Sequence, residues 1–235
     1  MTLMQECPAT LPELARKEAE IEAPQEEVLR PRRWTTAEYY ALSDAGFFDD
    51  ERVELLDGAI WKLPAQKTPH FYSTDVAGDI LPAAFGGGFI VRRHGPITLE
   101  DGTEPDPDVV IVPGTKLDYI PSHPVPSQIR ILVEVSDATL WKDRKQKQNA
   151  YARAGIADYW IVNLVNRQLK VYRDQEPTSN GHGYKTKLIL LESDSIAPLS
   201  VPNGIVAVAD LFPSPICSRR RSVPVADLFP SLTQP

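Results

Sequence analysis

Short apolar blocks separated by turn signals run along most of this chain, and the spacing within each block predicts the element it forms. Thr35 and Glu38 have capping-box spacing ahead of Tyr39, Tyr40 and Leu42, so a helix is expected to run to about Ser43. Arg52 to Leu56 and Ala59 to Leu63 are two β-rich runs joined by Asp57-Gly58, a strong hairpin signal. His70, Thr74, Ala77 and Leu81 recur at helical spacing, which predicts a helix from His70 to Leu81 ended by Gly86-Gly87-Gly88. Phe89 to Arg93 and Ile97 to Leu99 read as strands, with a turn at Asp101-Gly102.

Two continuous apolar runs follow, Asp108 to Val112 and Ile129 to Val135, of the kind found in strands buried on both faces. Asp143 to Ala154 reads as a helix, with Gly155 placed as its C-terminal cap. Tyr159 to Asn163 and Gln168 to Arg173 form a further expected strand pair around Asn166-Arg167.

Outside this patterned region the chain changes character. Residues 1–30 hold many Glu and Pro and few aromatics, which favours a solvated tail with at most a short helix from Pro12 to Ala23. The folded domain is expected over residues 31–212, with a C-terminal tail over 213–235. Val206-Ala-Val-Ala-Asp-Leu-Phe-Pro-Ser214 recurs as Val223-Pro-Val-Ala-Asp-Leu-Phe-Pro-Ser231, a local duplication rather than a solenoid, which needs about three or more units. The first copy is expected to finish the domain and the second, after Arg219-Arg220-Arg221, to be loosely attached; competition of the two copies for one docking site is the alternative.

Composition narrows the class. With 235 residues, 42% hydrophobic and 24% charged, the chain fits one globular domain plus tails. No apolar run approaches the ~20 residues of a membrane span. The N-terminus has neither a basic start nor an apolar segment, so no secretory signal is expected and the address is read as cytoplasmic. Cys7 and Cys217 have no metal-site spacing and are expected as free thiols. A net charge of -7 and a pI near 5.2 argue against a broad basic surface for nucleic acid, leaving a local groove or a dimer cleft as the place for such contact.

Within the apolar blocks, charged residues are the exceptions that need explaining. Asp108 opens a buried strand, where a bare carboxylate is costly unless paired or metal-bound. In Ile129 to Ser136, alternation puts Ile129, Ile131, Val133 and Val135 on one face and Leu132, Glu134 and Ser136 on the other, so Glu134 interrupts an apolar strand. Two such carboxylates, with carbonyl and water oxygens, make a hard site suited to Mg²⁺ or Mn²⁺. Lys147 is the candidate third member, because Asp143, Lys147 and Tyr151 share a helix face at i,i+4 steps. Plainer readings stand beside these: Asp108 ending a turn after Pro107, Glu134 in a buried salt bridge, and Asp143 with Lys147 as a surface pair worth about 0.3–0.5 kcal/mol.

The ordered series strand Asp, strand Glu, helix Lys carries a resemblance. Glu104-Pro-Asp-Pro-Asp-Val-Val-Ile-Val112, Leu132-Val-Glu-Val-Ser-Asp137, Lys142-Asp-Arg-Lys-Gln-Lys147 and Tyr151-Ala-Arg-Ala-Gly-Ile-Ala-Asp-Tyr-Trp-Ile-Val-Asn163 resemble the Uma-type putative restriction endonuclease family of the PD-(D/E)XK superfamily, over about Trp34 to Phe212. The resemblance implies an α/β restriction-endonuclease-like core, a mixed central β-sheet flanked by helices, binding a divalent metal. It matches Asp108 to the motif aspartate, Glu134 to the acidic residue, and Lys147 to a lysine displaced onto the helix, since Ser136 stands where E-x-K has lysine.

Glu54 and His70 enter as secondary candidates, because the family often has an acidic residue and a histidine near the site; Glu54 can equally be an exposed hairpin residue. His94, His123 and His182 lie in loop-like surroundings and are weaker candidates. Arg92, Arg93, Lys142, Arg144 and Lys145 form a modest phosphate patch or ordinary solvated charge. The expected function is thus Mg²⁺- or Mn²⁺-dependent hydrolysis of phosphodiester bonds in DNA, with metal on Asp108 and Glu134. A homodimer would suit double-strand cutting, and no membrane partner is expected. The alternatives are a non-catalytic nucleic-acid or protein-binding module with the nuclease fold, and a hydrolase of other phosphate esters.

Overall fold

A computed structural model of the chain describes residues 30–137 and 141–213, and of residues 141–144 only the backbone. The segment Pro12 to Ala23, both cysteines and the second copy of the duplication lie outside the described residues. The compact unit that begins at Arg32 contains every element named below.

Helix α1 (Thr36–Asp44) starts on a full capping box: the Thr35 side chain accepts from the Glu38 backbone, and the Glu38 carboxylate accepts from the Thr35 backbone. The hairpin of β1 (Val53–Leu56) and β2 (Ala59–Lys62) turns through Asp57 and Gly58, at φ 52° and 71°, the left-handed pair that Asp-Gly favours. Helix α2 is longer than its periodicity suggests, Thr68–Phe85, because Pro69 suits a first turn and only Gly86, at φ 76°, ends it. The Arg93 guanidinium packs directly over Gly78 on that helix, where a Cβ would lie 2.1 Å from Arg93 Nε and the arginine would have to shift.

Six strands form the central sheet in the order β3-β4-β5-β6-β7-β8: β3 (Phe89–Arg93), β4 (Val109–Pro113), β5 (Ile131–Ser136), β6 (Tyr159–Asn163), β7 (Gln168–Thr178) and β8 (Gly181–Leu190). Every neighbouring pair is antiparallel except β5 and β6, which run parallel because helix α3 (Trp141–Arg153) crosses between them. The sheet is covered on both faces, which explains its unbroken apolar runs. Val109, Ile111, Val133, Val135, Trp160 and Val162 pack with Ala77, Leu81 and Phe85 of α2. Val110, Val112, Leu132, Tyr159 and Ile161 pack with Tyr151 and Ala152 of α3. The chain is therefore a mixed α/β fold of the architecture expected from its sequence.

The pattern did not show everything. Ile97 to Leu99 is not a strand: Leu99 N–H bonds Thr103 O and Ile97 N–H bonds Pro105 O, but the flanking prolines cut the ladder short. Strand β8 went unread because Lys185, Thr186 and Lys187 break its apolar run, as befits a charged edge strand. Two short strands, β9 (Ser195–Ile196) and β10 (Val206–Ala207), close the described chain, and Val206, Val208, Leu211 and Phe212 of the first duplicated copy are buried with α2. Among the described residues, no helix is long and apolar enough to cross a membrane.

Candidate active site

The register of β4 on β5 pairs Val110 with Leu132 and Val109 with Val133, so one further step brings Asp108 opposite Glu134. Both then lie on the α3 side of the sheet, by the same alternation that sorts Val110 and Leu132 there. Asp108 sits just ahead of the ladder, where Pro105 and Pro107 hold the chain out of regular pairing. Its carboxylate is fixed on all sides. Oδ2 accepts the Val135 N–H at 2.7 Å and lies 3.3 Å from His70 Nε2. Oδ1 lies 3.4 Å from both Gln66 Nε2 and His94 Nδ1.

Helix α3 supplies the cation. The Lys147 ammonium lies 2.8 Å from Glu54 Oε2 and 3.2 Å from Glu134 Oε1. One turn later Tyr151 donates its hydroxyl to the same Glu134 oxygen at 2.7 Å. Glu54 arrives from the β1–β2 hairpin, which reciprocal backbone bonds between Leu55 and Glu104, at 3.3 and 2.8 Å, tie to the segment leading into Asp108. Glu54 Oε2 also accepts the Asp106 N–H at 3.1 Å.

Burial sets the electrostatics. It pushes the Glu134 carboxyl up to about 7, with the charges of Asp108 and Glu54 adding and Lys147 opposing. Burial alone would pull the Lys147 ammonium down, but the Glu134 and Glu54 charges outweigh it and the net value is raised. Burial likewise opposes protonation of His70, yet its hydrogen bond to Asp108, the Asp108 charge, and the charges of Asp137 and Glu134 raise it overall. The Tyr151 hydroxyl is raised well above its ordinary value by burial and by Glu134 and Glu54, so it stays a donor.

Glu54, His70, Asp108, Glu134 and Lys147 line one cavity of about 190 Å³, which Arg52, Trp61 and Asp137 also line. The donor set fits a divalent cation. Glu54, Asp108 and Glu134 share the cavity with one lysine ammonium, which touches Glu54 and Glu134, while Asp108 meets the His70 and His94 rings. Hard carboxylate oxygens match Mg²⁺ or Mn²⁺ better than a softer ion. No three His, Cys, Asp or Glu converge as a ready ligand set among the described residues, so two carboxylates would need carbonyl or water oxygens to complete the shell.

All five residues singled out in the sequence, Asp108, Glu134, Lys147, Glu54 and His70, come to this cavity. Glu54 is buried rather than an exposed hairpin residue. Gln66 and Asp106 escaped notice, and His94, ranked low for its loop setting, stands against Asp108. The only local hint was His94's place directly after a strand; its φ of 48° and its bond from N–H to Asp108 O, 3.1 Å, appear only in the fold. Arg93 does not serve a phosphate patch here, because it pairs with Asp75 and Asp79, and Arg92 packs over Tyr119. The side chains of Lys142, Asp143 and Arg144 lie outside the described residues.

The family model of Uma2, described as "Putative restriction endonuclease", matches residues 36–210 of this chain. A solved structure from Anabaena variabilis, described as a "putative nuclease belonging to DUF820", is similar over 76% of this chain and 97% of its own, with a TM-score of 0.58 and 15% identity. At that identity the likeness is one of fold. No curated protein matches the chain.

Proposed function

The chain belongs to the Uma2 putative restriction endonuclease family, and from that premise we propose that it is a divalent-metal-dependent endonuclease hydrolysing phosphodiester bonds in DNA. One observation carries the reading: α3 brings the Lys147 ammonium to 2.8 and 3.2 Å from Glu54 and Glu134, in the cavity that holds Asp108. An aspartate at the head of β4, a strand glutamate and a helix lysine thus share one cavity although the lysine is absent from the strand position at Ser136.

Asp108 and Glu134 would hold Mg²⁺ or Mn²⁺. Such an ion, when bound, supplies positive charge against the scissile phosphate and makes water easier to deprotonate. Lys147, raised by its two carboxylates, stays protonated at neutral pH, so it acts as a fixed donor that orients water or a phosphate oxygen and not as a general base. His70 and the Val135 N–H hold the Asp108 carboxylate in one orientation. Tyr151 does the same for Glu134. Cutting both strands of a duplex calls for two such sites, which a homodimer would provide.

The test is cleavage of DNA by the purified protein with Mg²⁺ or Mn²⁺, beside Asp108→Ala and Lys147→Ala. Cleavage by the wild type and its loss in both variants is expected. Equal cleavage by all three would place the chemistry elsewhere.

A further inference from the structure

A second cleft of about 390 Å³ adjoins the first, with Ile161 lining both. Its lining includes Lys145, Lys170, Lys187 and His182 and, among the described residues, contains no Asp or Glu. In a chain with 32 acidic and 25 basic residues, a concave surface whose described charged lining is basic runs against the overall charge. The neighbouring cavity is its opposite in sign.

The sheet determines how the two are related. Glu134 pairs with Ile161 across β5 and β6, and Ile161 pairs with Lys170 across β6 and β7. Glu134, Ile161 and Lys170 therefore form one row on one face, with the ends about 10 Å apart at the usual strand spacing. In the adjacent row Tyr159 pairs with Tyr172, and Tyr172 with Lys187. Tyr172 lines the cleft, and its ring stacks on Tyr159 with centroids 5.4 Å apart. Its far wall is the tip of the β7–β8 hairpin, held to α3 by Asn149 Nδ2 donating to Asn180 O at 3.3 Å. Lys170 and Lys187 form no ion pair among the described residues.

We infer that this cleft is the track along which a polynucleotide backbone leaves the acidic site, with Lys170 and Lys187 each contacting a phosphate. The inference rests on the nuclease reading above and adds to it the surface that holds the substrate strand. Lysine ammoniums neutralise phosphates without reading sequence, so the contact is sequence-independent and salt-sensitive. It also answers how an acidic chain engages a polyanion: through one local groove rather than its whole surface.

The experiment measures binding of labelled DNA and RNA duplexes of one sequence to Asp108→Asn protein over a salt series. The same titrations are run with Lys170→Gln and Lys187→Gln added singly and together, and with the exposed Lys116→Gln as a control that matches each single variant in charge. The double change is expected to weaken binding about tenfold or more at low salt. It should also reduce the salt slope by about 2, at roughly 0.9 per duplex phosphate contact, while the control leaves both unchanged. If the double variant melts early, the single variants carry the test, each expected to lower the slope by about one. An effect on only one duplex identifies the nucleic acid that the track takes. Unchanged affinity and slope, equal loss in the control, or no binding by the parent would overturn the track. Cleavage by wild-type protein is scored separately with Mg²⁺ or Mn²⁺: its absence, with lysine-dependent binding intact, sinks the nuclease reading and leaves the groove standing.

Discussion

Replacing Lys147 by methionine keeps much of the side chain's volume and removes the ammonium that touches both Glu54 and Glu134. At 2.8 and 3.2 Å, and an effective dielectric of about 20, each pair amounts to on the order of 5 kcal/mol of Coulomb attraction. Desolvation offsets much of it, because Lys147, Glu54 and Glu134 side chains are only 14%, 5% and 14% exposed. Removing one partner of a buried pair costs about 3–5 kcal/mol, since the other charge is left unpaired. For a unit of this size that is a fall of roughly 6–20 °C in Tm. The loss should depend on pH with a definite sign. A carboxyl raised in the folded state favours folding below its unfolded value and loses that contribution as pH rises through its folded value, and Glu134 is already raised to about 7. Without Lys147 it rises further; while Glu134 is protonated in both folded proteins the deficit is level, so it should grow only as pH rises from about 6 to 9, through and above the wild-type value. Thermal melts across that range, read by circular dichroism without added metal, measure it, and a DNA cleavage assay on the same samples should show no product. A variant that melts with the wild type throughout would refute the ion-pair reasoning; one that is stable and still cuts DNA would refute the role proposed for Lys147.

Two further outcomes test the scaffold. The fully buried Asp158 carboxylate receives Arg173 Nε at 2.8 Å and Nη2 at 3.2 Å, Trp160 Nε1 at 2.8 Å and the Leu199 N–H at 2.8 Å. Asp158→Ala should therefore lower the urea unfolding free energy by about 3–5 kcal/mol, with Asp158→Asn less affected. Burial raises the hydroxyls of Tyr151, Tyr184 and Tyr40 above their ordinary value. Their contribution to stability is then complete below about pH 10 and lost above it, so these phenols should ionise in an ultraviolet titration only as the protein unfolds in alkali.

Local chemistry made much of this molecule legible in advance. The capping box of α1, the Asp57-Gly58 turn and the apolar runs of β4 and β5 depend on neighbours within a few residues, so sequence order alone carries them. Asp108 and Glu134 were visible as charges inside apolar strands, because such placements are costly unless compensated. The resemblance pointed to Glu54 and His70, and together with the shared helix face of Asp143, Lys147 and Tyr151 to Lys147 as the third member beside Asp108 and Glu134; its pairing with Glu54 was not foreseen.

Those contacts were decided by the fold. That Glu54 and Lys147, from the first hairpin and the third helix, meet at 2.8 Å depends on strand order and on α3 crossing from β5 to β6, which no local signal encodes. Gln66 and His94 reach Asp108 from loops whose direction is set by packing. The basic cleft exists because β8, unread in the sequence, pairs Lys187 with Tyr172 and its hairpin tip docks on α3. By itself the sequence determined which residues were out of place for a buried strand and which short elements would form, since those follow from local periodicity and the cost of burying charge. Only the tertiary structure decided which charges face one another, because that is a matter of contacts between residues distant along the chain.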